Sequence, residues 1–504
     1  MSRNLDFSHT PSRKRTTILQ AFGGYALTGI NIVQGLVLIP LYLHYIGVHI
    51  YGLWLASGGI LGMLGLMNFG IGSILIQRIA SFYGKKDLPQ VGIYFINGMI
   101  VYIGICLLLG LVGWIISLWL PEILTAIGND SDLFQQCFQL AVVAAMLAVF
   151  NECLRSFSQA LLRPIIPMMA MVVGRIVGIG VTIWMLFDGF GLWAIPVGLL
   201  VAESLTLLLN VFNALGLFRR LGVRVEFKKS VIKEYCKTAP VLLMATAGNK
   251  LSQEAEPLLI TVFLSPEVTT AYMITRRAAD IVFQMLNVVT GSTMGTFSHL
   301  VGSDNRDNVR NAASKLLFIN FSLGVVGFAT YVGMNQTFVS LWVDESFALD
   351  QTVILFIALG FFARAFRGLL GQMLYGLGDF TYTSTVIMLE GVGRIFMASA
   401  LLSLLGIVGV PLAFVLSCLL PILILGRRLK TELTMQFHLF STTRLMFSGA
   451  ILFGLVTSLV QIKLPIDSWV GFSLYLGVLL LSILIIYILI NWAKFRDIYR
   501  DIAV

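Results

Sequence analysis

The sequence predicts an all-α polytopic membrane protein with about fourteen transmembrane helices. The first observation is composition, because 58% of the residues are hydrophobic and only 12% are charged, whereas about 25% are charged in soluble domains. The second is the length of the uncharged runs. The stretch from Thr16 to Gln77 contains no Asp, Glu, Lys or Arg. Since one crossing of the hydrocarbon core takes about 20 apolar residues, this stretch must cross the membrane and return.

The apolar runs divide into consecutive segments whose length and lack of strict alternation favour helices over a closed β-barrel. The predicted spans are residues 16–46, 50–78, 90–119, 133–162, 165–187, 191–217, 234–264, 268–298, 309–343, 350–377, 381–404, 408–426, 445–462 and 468–493. A basic stretch, Arg13-Lys14-Arg15, precedes the first of them. The apolar run after it is far longer than the core of a signal peptide, so we interpret it as a retained first span.

The basic residues between the spans predict the orientation of the chain. If the amino terminus is inside, the inner segments hold Lys85-Lys86, the basic run from Arg219 to Lys237, and Arg427-Arg428. The predicted outer loops hold one basic residue, Lys463, beside acids such as Glu122, Asp130, Asp344, Glu345 and Asp467. The positive-inside rule then places both termini in the cytoplasm. The same basic collar favours contact with anionic membrane lipids over nucleic acid, for which no soluble basic module is present.

An internal repeat indicates how the spans are grouped. In the fifth and sixth spans, Gly174-Arg175-Ile176 is followed by Gly191 to Gly198 with Pro196, and then by Arg219-Arg220. In the eleventh and twelfth, Gly393-Arg394-Ile395 is followed by Gly406 to Ala413 with Pro411, and then by Arg427-Arg428. Six spans separate the copies, so both keep the same orientation, which is typical of alternating-access transporters with parallel repeats. We therefore predict a six-helix lobe at 1–217, a basic cytoplasmic linker at 218–233, a second six-helix lobe at 234–430, and two additional helices at 431–504.

Charged residues well inside the spans are the candidates for function, because a charge at mid-bilayer costs about 2.5–3.5 kcal/mol on insertion scales and must face protein or water. The cations are Arg155, Arg175, Lys250, Arg276, Arg277, Arg364, Arg367 and Arg394. The acids are Glu152, Glu203, Glu254, Glu256, Asp280 and Glu390. Residues three or four apart share a helix face, which predicts the pairs Glu152–Arg155, Lys250–Glu254, Arg276–Asp280 and Glu390–Arg394. These pairs fit a structural role as well as a functional one.

The charges that remain after pairing are mostly cationic, and this surplus favours an anionic cargo. The arginine fork suits phosphate oxygens, and Arg364 and Arg367 share a face of the tenth span with Gln372 further along. The candidate substrate-binding residues are Arg277, Arg364, Arg367, Arg175, Arg394, Arg276, Lys250 and Gln372. The candidate ion-coupling residues are Glu256, Glu254, Asp280, Glu203 and Glu390. An arginine near a helix end, such as Arg155, is also explained by its side chain reaching the interface.

The sequence contains no pattern that predicts a catalytic, metal or cofactor site. The five cysteines are scattered singly, without metal-ligand or disulfide spacing. Every loop is too short for a nucleotide-binding or catalytic domain, and Gly84-Lys85-Lys86 lacks the earlier glycine and the Ser or Thr of a phosphate loop. We expect neither a cofactor nor a metal, and no enzymatic activity.

Several short motifs resemble a known family. Pro40 to Gly47, Tyr51-Gly-Leu-Trp54 and Asn68-Phe-Gly-Ile-Gly72 are similar to the opening of lipid-linked oligosaccharide flippases. These are the O-antigen and polysaccharide exporters of the multidrug/oligosaccharidyl-lipid/polysaccharide superfamily. Glu256-Pro-Leu-Leu-Ile and Ala271-Tyr272-Met-Ile resemble the seventh and eighth spans of that family.

The resemblance implies that the chain carries an undecaprenyl-diphosphate-linked oligosaccharide from the inner to the outer leaflet of a bacterial inner membrane, for O-antigen or lipopolysaccharide assembly. It also implies a coupling proton or sodium ion, and other polysaccharide assembly proteins as partners. Two alternatives remain. One is a multidrug or organic-cation antiporter of the same superfamily, which would favour acids in the cavity. The other is a membrane-embedded polysaccharide polymerase or ligase, which would need catalytic groups in a sizeable outer loop.

Overall fold

The computed structural model describes residues 13–125, 130–221, 226–302, 306–433, 468–492 and 496. All regular elements in this part of the chain are helices, as predicted. The chain divides into two compact units, Met1–Val262 and Phe263–Val504. The predicted span at 445–462 lies outside the described residues. The predicted lobe boundary at 218–233 stays a prediction.

The first unit is built from eight helices in the described residues. They are α1 (Arg13–Tyr45), α2 (Val48–Leu64), α3 (Ile71–Gly84), α4 (Leu88–Ile123), α5 (Ser131–Ala160), α6 (Ile165–Phe187), α7 (Ala194–Leu221) and α8 (Lys229–Phe263). Its core consists of aliphatic and aromatic side chains from these helices, among them the stacked rings of Phe95 and Phe157, whose centroids lie 3.8 Å apart.

The second unit contains the remaining helices. They are α9 (Pro266–Gly302), α10 (Arg306–Trp342), α11 (Gln351–Gly376), α12 (Phe380–Leu405), α13 (Gly409–Leu433) and α14 (Trp469–Ile490). Two tyrosines hold α14 against α10. The Tyr475 hydroxyl donates to the Gly333 carbonyl at 2.8 Å, and the hydroxyls of Tyr487 and Ser322 lie 3.1 Å apart. The last predicted span is therefore packed onto this unit.

The second predicted span, 50–78, is interrupted rather than continuous. Helix α2 ends at Leu64, a 3₁₀ turn covers Gly65–Asn68, and α3 begins at Ile71. Phe69 and Gly70 have φ of 50° and 65°, a left-handed conformation that breaks the helix and that glycine adopts most readily. Part of the motif Asn68-Phe-Gly-Ile-Gly72 forms this break. The residues on either side are apolar, so hydropathy alone predicts one continuous span.

The repeat predicted from the sequence is visible in two helical hairpins. In the first unit a 3₁₀ turn at Gly191–Trp193 joins α6 to α7, and in the second a 3₁₀ turn at Gly406–Val408 joins α12 to α13. Gly191 and Gly406 have nearly the same positive φ, 55° and 59°, which a residue with a side chain rarely adopts. The two copies of the sequence motif thus share a 3₁₀ turn that begins at a glycine with positive φ, while residues 188–190 separate α6 from its turn and α12 ends directly before Gly406.

Ten stretches of the described chain are long and apolar enough to cross a membrane. Helices α8 and α9 carry six of the fourteen candidate functional charges, namely Lys250, Glu254, Glu256, Arg276, Arg277 and Asp280.

Candidate functional site

A close contact between α6 and α7 positions two of the predicted site residues. A Cβ at Gly174 would lie 2.6 Å from the Ala202 carbonyl oxygen, and one at Gly178 would lie 2.7 Å from the Ala202 Cβ. Small residues at this spacing let two helix backbones approach closely in a membrane. Arg175 and Glu203 each follow one of these contact residues directly, so the tight crossing fixes both on neighbouring helices.

Arg175 and Glu203 line a polar cavity of about 280 Å³ within the first unit. Helices α1, α5, α6 and α7 form its walls. The lining residues are Leu27, Asn31, Ala148, Asn151, Glu152, Arg155, Met171, Arg175, Ala202, Glu203, Thr206 and Asn210. Four of the predicted intramembrane charges therefore meet in one place, two cations and two acids.

Both carboxylates of the cavity are already held by protein groups. Arg155 donates from Nε to Glu152 Oε2 at 3.0 Å, which confirms the pair predicted from their spacing. Asn151 Nδ2 donates to Glu203 Oε2 at 3.0 Å and to the Glu203 carbonyl at 3.1 Å. Asn210 Nδ2 in turn donates to Asn151 Oδ1 at 3.3 Å, so the amide that holds Glu203 is itself oriented.

Arg175 differs from the other charges of the cavity. Its side chain is half-buried, and it makes no hydrogen bond or ion pair with any residue that the structure describes. A guanidinium has five N–H donors in a planar fork and accepts no hydrogen bond. Arg175 therefore offers the cavity a donor set suited to an anionic oxygen ligand.

Helix α8 places its charges against a glycine face of α2. The Glu254 carboxylate lies against Gly62, and the Lys250 Nζ lies 2.9 Å from where a Cβ at Gly65 would be. The predicted pair of Lys250 with Glu254 stays a prediction. Because Gly65 caps the carboxyl end of α2, the Lys250 cation sits near the negative end of that helix dipole. Glu256 is buried on the same helix.

In the second unit, an arginine of α9 lies over an aromatic ring of α11, and an arginine of α11 lies over an aromatic ring of α9. Arg276 pairs with Asp280 on its own helix, with 3.3 Å between Nε and Oδ2, which confirms the predicted pair. The Arg276 guanidinium also lies over the Phe361 ring of α11, 5.4 Å from its centroid. In return, Arg364 of α11 lies 4.4 Å from the Phe283 centroid of α9. Each helix thus gives a cation to an aromatic face of the other.

Glu390 pairs with an arginine of a neighbouring helix. Glu390 of α12 lies 3.1 Å from Arg367 of α11, measured between Oε2 and Nε. This pair joins two helices, which a pattern within one helix does not reveal. The Cys418 thiol lies 3.4 Å from the other Glu390 carboxylate oxygen. The Arg394 guanidinium lies over the Phe414 ring, 4.4 Å from its centroid, and its pair with Glu390, which the spacing favours, stays a prediction.

The remaining candidates are half-buried, namely Arg277 on α9 and Gln372 on α11. The structure thus brings together Arg175 with Glu203, Arg276 with Asp280, and Arg367 with Glu390. Whether any of these residues binds cargo or a coupling ion stays a prediction.

The sequence reasoning missed the amides that organise the cavity. Asn151 and Asn210 connect Glu203 to two helices, yet neither is among the candidates, because the cost of burying a charge singles out ionisable residues first. A signal was present, since Glu203, Thr206 and Asn210 are spaced three and four apart and so lie along one face of α7. Polar residues at that spacing within an apolar span indicate a face turned away from lipid.

The fold and its charged interior define a multi-pass helical membrane protein, the class to which membrane transporters belong. A family model described as a polysaccharide biosynthesis protein matches residues 60–341, more than half of the chain. The chain belongs to this polysaccharide biosynthesis protein family, which confirms the resemblance predicted from the sequence. A comparison with curated proteins gave no match.

Solved structures with the same fold come from membrane transporters. The lipid II flippase MurJ in an inward closed conformation has a TM-score of 0.71 at 11% identity, and the match covers 96% of this chain and 99% of that one. An inward-facing multidrug resistance MATE family transporter of the MOP superfamily has a TM-score of 0.61 at 16% identity, covering 80% and 94%. A MOP superfamily transporter from Pyrococcus furiosus, described as having a binding pocket of reverse polarity, has a TM-score of 0.57 at 15% identity, covering 84% and 96%. At these identities the likeness shows a shared fold.

Proposed function

We propose that the protein is a flippase that moves an anionic lipid-linked oligosaccharide from the inner to the outer leaflet, and that it works as a transporter rather than an enzyme. Its membership of a polysaccharide biosynthesis family supports this reading. So does its fold, which is shared with a lipid II flippase over 96% of the chain. The cargo that fits the sequence resemblance is an undecaprenyl-diphosphate-linked oligosaccharide.

The observation that carries the proposal is Arg175 in the polar cavity of the first unit. Both carboxylates there are held by Arg155 and Asn151, so the guanidinium of Arg175 is the charge best placed to accept a ligand. The cavity volume of about 280 Å³ lies just below that of ligand pockets, which span about 300–1,000 Å³. It suits a phosphate group of the cargo, while the saccharide and the lipid chain would lie outside it.

The transport cycle we propose is alternating access between parallel repeats, coupled to a proton or sodium ion. Glu203 is the best-placed coupling residue of the predicted set, because its carboxylate shares the cavity with Arg175. A change in its charge would alter the field at the cargo site directly. The charge bias of the loops supports a bacterial cytoplasmic membrane with both termini inside, where the flippase would work with other polysaccharide assembly proteins.

The second candidate is an organic-cation antiporter, which two observations favour: the MATE-type fold and the presence of Glu152 and Glu203 in the cavity. An organic cation would need one of these carboxylates. Glu152 is paired with Arg155 and Glu203 is held by Asn151, so binding would first have to break an existing contact. An anionic cargo could bind Arg175 without breaking either of these carboxylate contacts.

Variants of Arg175 test the proposal in cells that lack the native gene. We expect Arg175→Ala to abolish surface polysaccharide and to leave its lipid-linked precursor on the inner leaflet, with normal protein abundance, because no partner in the described chain loses a contact. Two charge-assisted hydrogen bonds are worth about 3–6 kcal/mol, so a drop in export of at least about a hundred-fold is expected. Arg175→Lys should restore export in part, since the charge returns without the fork.

Arg163→Ala is the matched control, because Arg163 is an exposed arginine of the same unit outside the cavity. It should export normally. Normal export by Arg175→Ala at normal abundance would remove the cavity from the cargo path. Unchanged polysaccharide together with new sensitivity to cationic drugs would instead favour the antiporter.

A further inference from the structure

The segment that follows α7 is clamped to the first unit by one buried asparagine. Asn97 of α4 is fully buried; its Nδ2 donates to the Glu226 carbonyl at 2.9 Å, and its Oδ1 accepts from the Lys228 backbone N–H at 3.0 Å. A single side chain thus holds the backbone on both sides of residue 227. The sequence predicts a basic linker here, and the structure shows that its described part is docked.

The residue between the two clamped groups is Phe227, which is 63% exposed. An exposed aromatic side chain on a fixed backbone calls for an explanation, since burying it would have been favourable. Aromatic side chains beside lysine and arginine are typical of the membrane–water interface, where an apolar body meets the edge of the hydrocarbon region. The clamp therefore presents Phe227 outward from the unit in a defined position.

The first turns of α8, which begin two residues later, have one buried and one basic face. Val231 and Tyr235 are buried in the core. Glu234 pairs with Arg78 and accepts a hydrogen bond of 2.8 Å from the Tyr94 hydroxyl. These contacts fix the rotation of the helix. The opposite face carries exposed lysines at a spacing of four residues, namely Lys229, Lys233 and Lys237.

The basic end of α7 lies at the same level of the unit. Phe218 of α7 packs 6.2 Å from Phe95, and Tyr235 of α8 packs 6.3 Å from the adjacent Tyr94, both measured between ring centroids. Arg219 and Arg220 follow Phe218 directly and are exposed. Glu226 pairs with Lys228 at 3.6 Å. The five exposed cations make no ion pair with any residue that the structure describes: Arg219, Arg220, Lys229, Lys233 and Lys237.

We propose that Phe227 and these five cations form a binding surface for anionic phospholipid headgroups. Arg219 and Arg220 stand in the last turn of α7, at the end of the candidate span Gly191–Leu221, so we place the surface where the chain leaves the membrane. Charge complementarity favours anionic lipid, and Phe227 adds an apolar contact with the acyl boundary. A lipid bound there would tie the start of α8 to the membrane surface as well as to α4.

The native cysteines provide a local reporter for this surface. Cys236 is exposed beside Lys233 and Lys237, and the other four cysteines are buried. The full chain, labelled at Cys236 with bimane, is placed in nanodiscs of phosphatidylcholine with 20% phosphatidylglycerol. Nitroxide carried on the headgroup of one lipid or the other then quenches the probe, and the ratio of the two quenching efficiencies reports local enrichment.

We expect phosphatidylglycerol to be enriched several-fold over phosphatidylcholine at Cys236, and the enrichment to fall as salt screens the charges. The triple variant Lys229→Gln, Lys233→Gln, Lys237→Gln should lose it, since each lysine near an anionic surface contributes roughly a five-fold preference. A triple variant of other basic residues, Lys85→Gln, Lys86→Gln, Lys430→Gln, removes the same charge elsewhere and should keep the enrichment. Phe227→Ser should reduce quenching by both lipids equally.

Two results would overturn the proposal. One is equal quenching by the two lipids in the unmodified chain. The other is enrichment that survives the α8 triple variant but falls in the control triple, because the basic residues elsewhere would then attract the lipid. Loss of all lipid quenching upon addition of a cytoplasmic extract would assign the surface to a protein and would contradict it as well.

Discussion

Replacing Arg367 by alanine should destabilise the protein, and this distinguishes a structural arginine from a cargo-binding one. Arg367 and Glu390 are only 3% and 5% exposed, and their side chains join α11 to α12. Arg367→Ala would leave the Glu390 carboxylate buried beside the Cys418 thiol, where water cannot solvate it. Removing one partner of such a pair typically costs about 3–5 kcal/mol. This is a large fraction of the roughly 5–15 kcal/mol that stabilises a typical domain.

The magnitude can be checked with a double-variant cycle. Arg367→Ala combined with Glu390→Gln removes both charges, so at least about 2 kcal/mol of the lost stability should return. Arg428→Ala is the matched control, because Arg428 of α13 also pairs with an acid, Asp379 at the N-cap of α12, at 2.8 Å, but its side chain is 42% exposed. Solvent screens that pair, so its loss should have little effect.

The assay is the abundance of each variant in the membrane together with its melting temperature after purification in detergent. Arg367→Ala should show low abundance and early melting, the double variant should recover both, and Arg428→Ala should resemble the unmodified chain. Normal abundance and melting of Arg367→Ala together with loss of polysaccharide export would contradict a structural role for Arg367. Arg367 would then serve the cargo, as the sequence predicts from its lack of a partner on its own helix.

Two further predictions concern packing and orientation. Gly178→Ala should lower the free energy of unfolding by about 1–3 kcal/mol through overpacking, because the new Cβ would meet the Gly198 carbonyl oxygen at 2.7 Å. In Gly180→Ala the new Cβ meets nothing within 4 Å, so this control should melt normally. Equal melting temperatures of the two variants would contradict the α6–α7 crossing. An impermeant thiol reagent should leave the exposed Cys236 unlabelled in intact cells and label it in inside-out vesicles. Asp130→Cys, made in a Cys236→Ser background, should show the opposite behaviour, and the reversed pattern would invert the predicted topology.

Hydropathy predicted the helices well wherever each apolar run corresponds to one helix. The fifth span, predicted at 165–187, matches α6 at both ends. The second span shows the limit of prediction from hydropathy, because the stretch around Gly65–Asn68 is apolar and gives no sign of a helix end. The break comes from left-handed backbone at Phe69 and Gly70, which is a property of φ and ψ rather than of transfer free energy.

The candidate site was predictable only in part, for a similar reason. Spacing within one helix revealed Glu152–Arg155 and Arg276–Asp280, because residues three or four apart must share a face. It could not reveal Arg367–Glu390, which depends on how two helices pack. Arg175 and Glu203 were singled out by the cost of placing charge in lipid. Their meeting in one cavity follows from the glycine contacts between α6 and α7, and no count of charges along the chain contains that information.

Lipid flipping by the purified chain is the sharpest test of the proposed function. The protein is reconstituted into liposomes that contain a fluorescent diphosphate-linked oligosaccharide lipid, and the fraction of cargo accessible to a reagent outside the vesicle is followed over time. We expect the unmodified chain to speed exchange between leaflets. Arg175→Ala should abolish the acceleration, and a neutral glycolipid that lacks the diphosphate should not be moved. Exchange no faster than in protein-free liposomes, or equal acceleration of the neutral glycolipid, would contradict an arginine-dependent flippase for an anionic cargo.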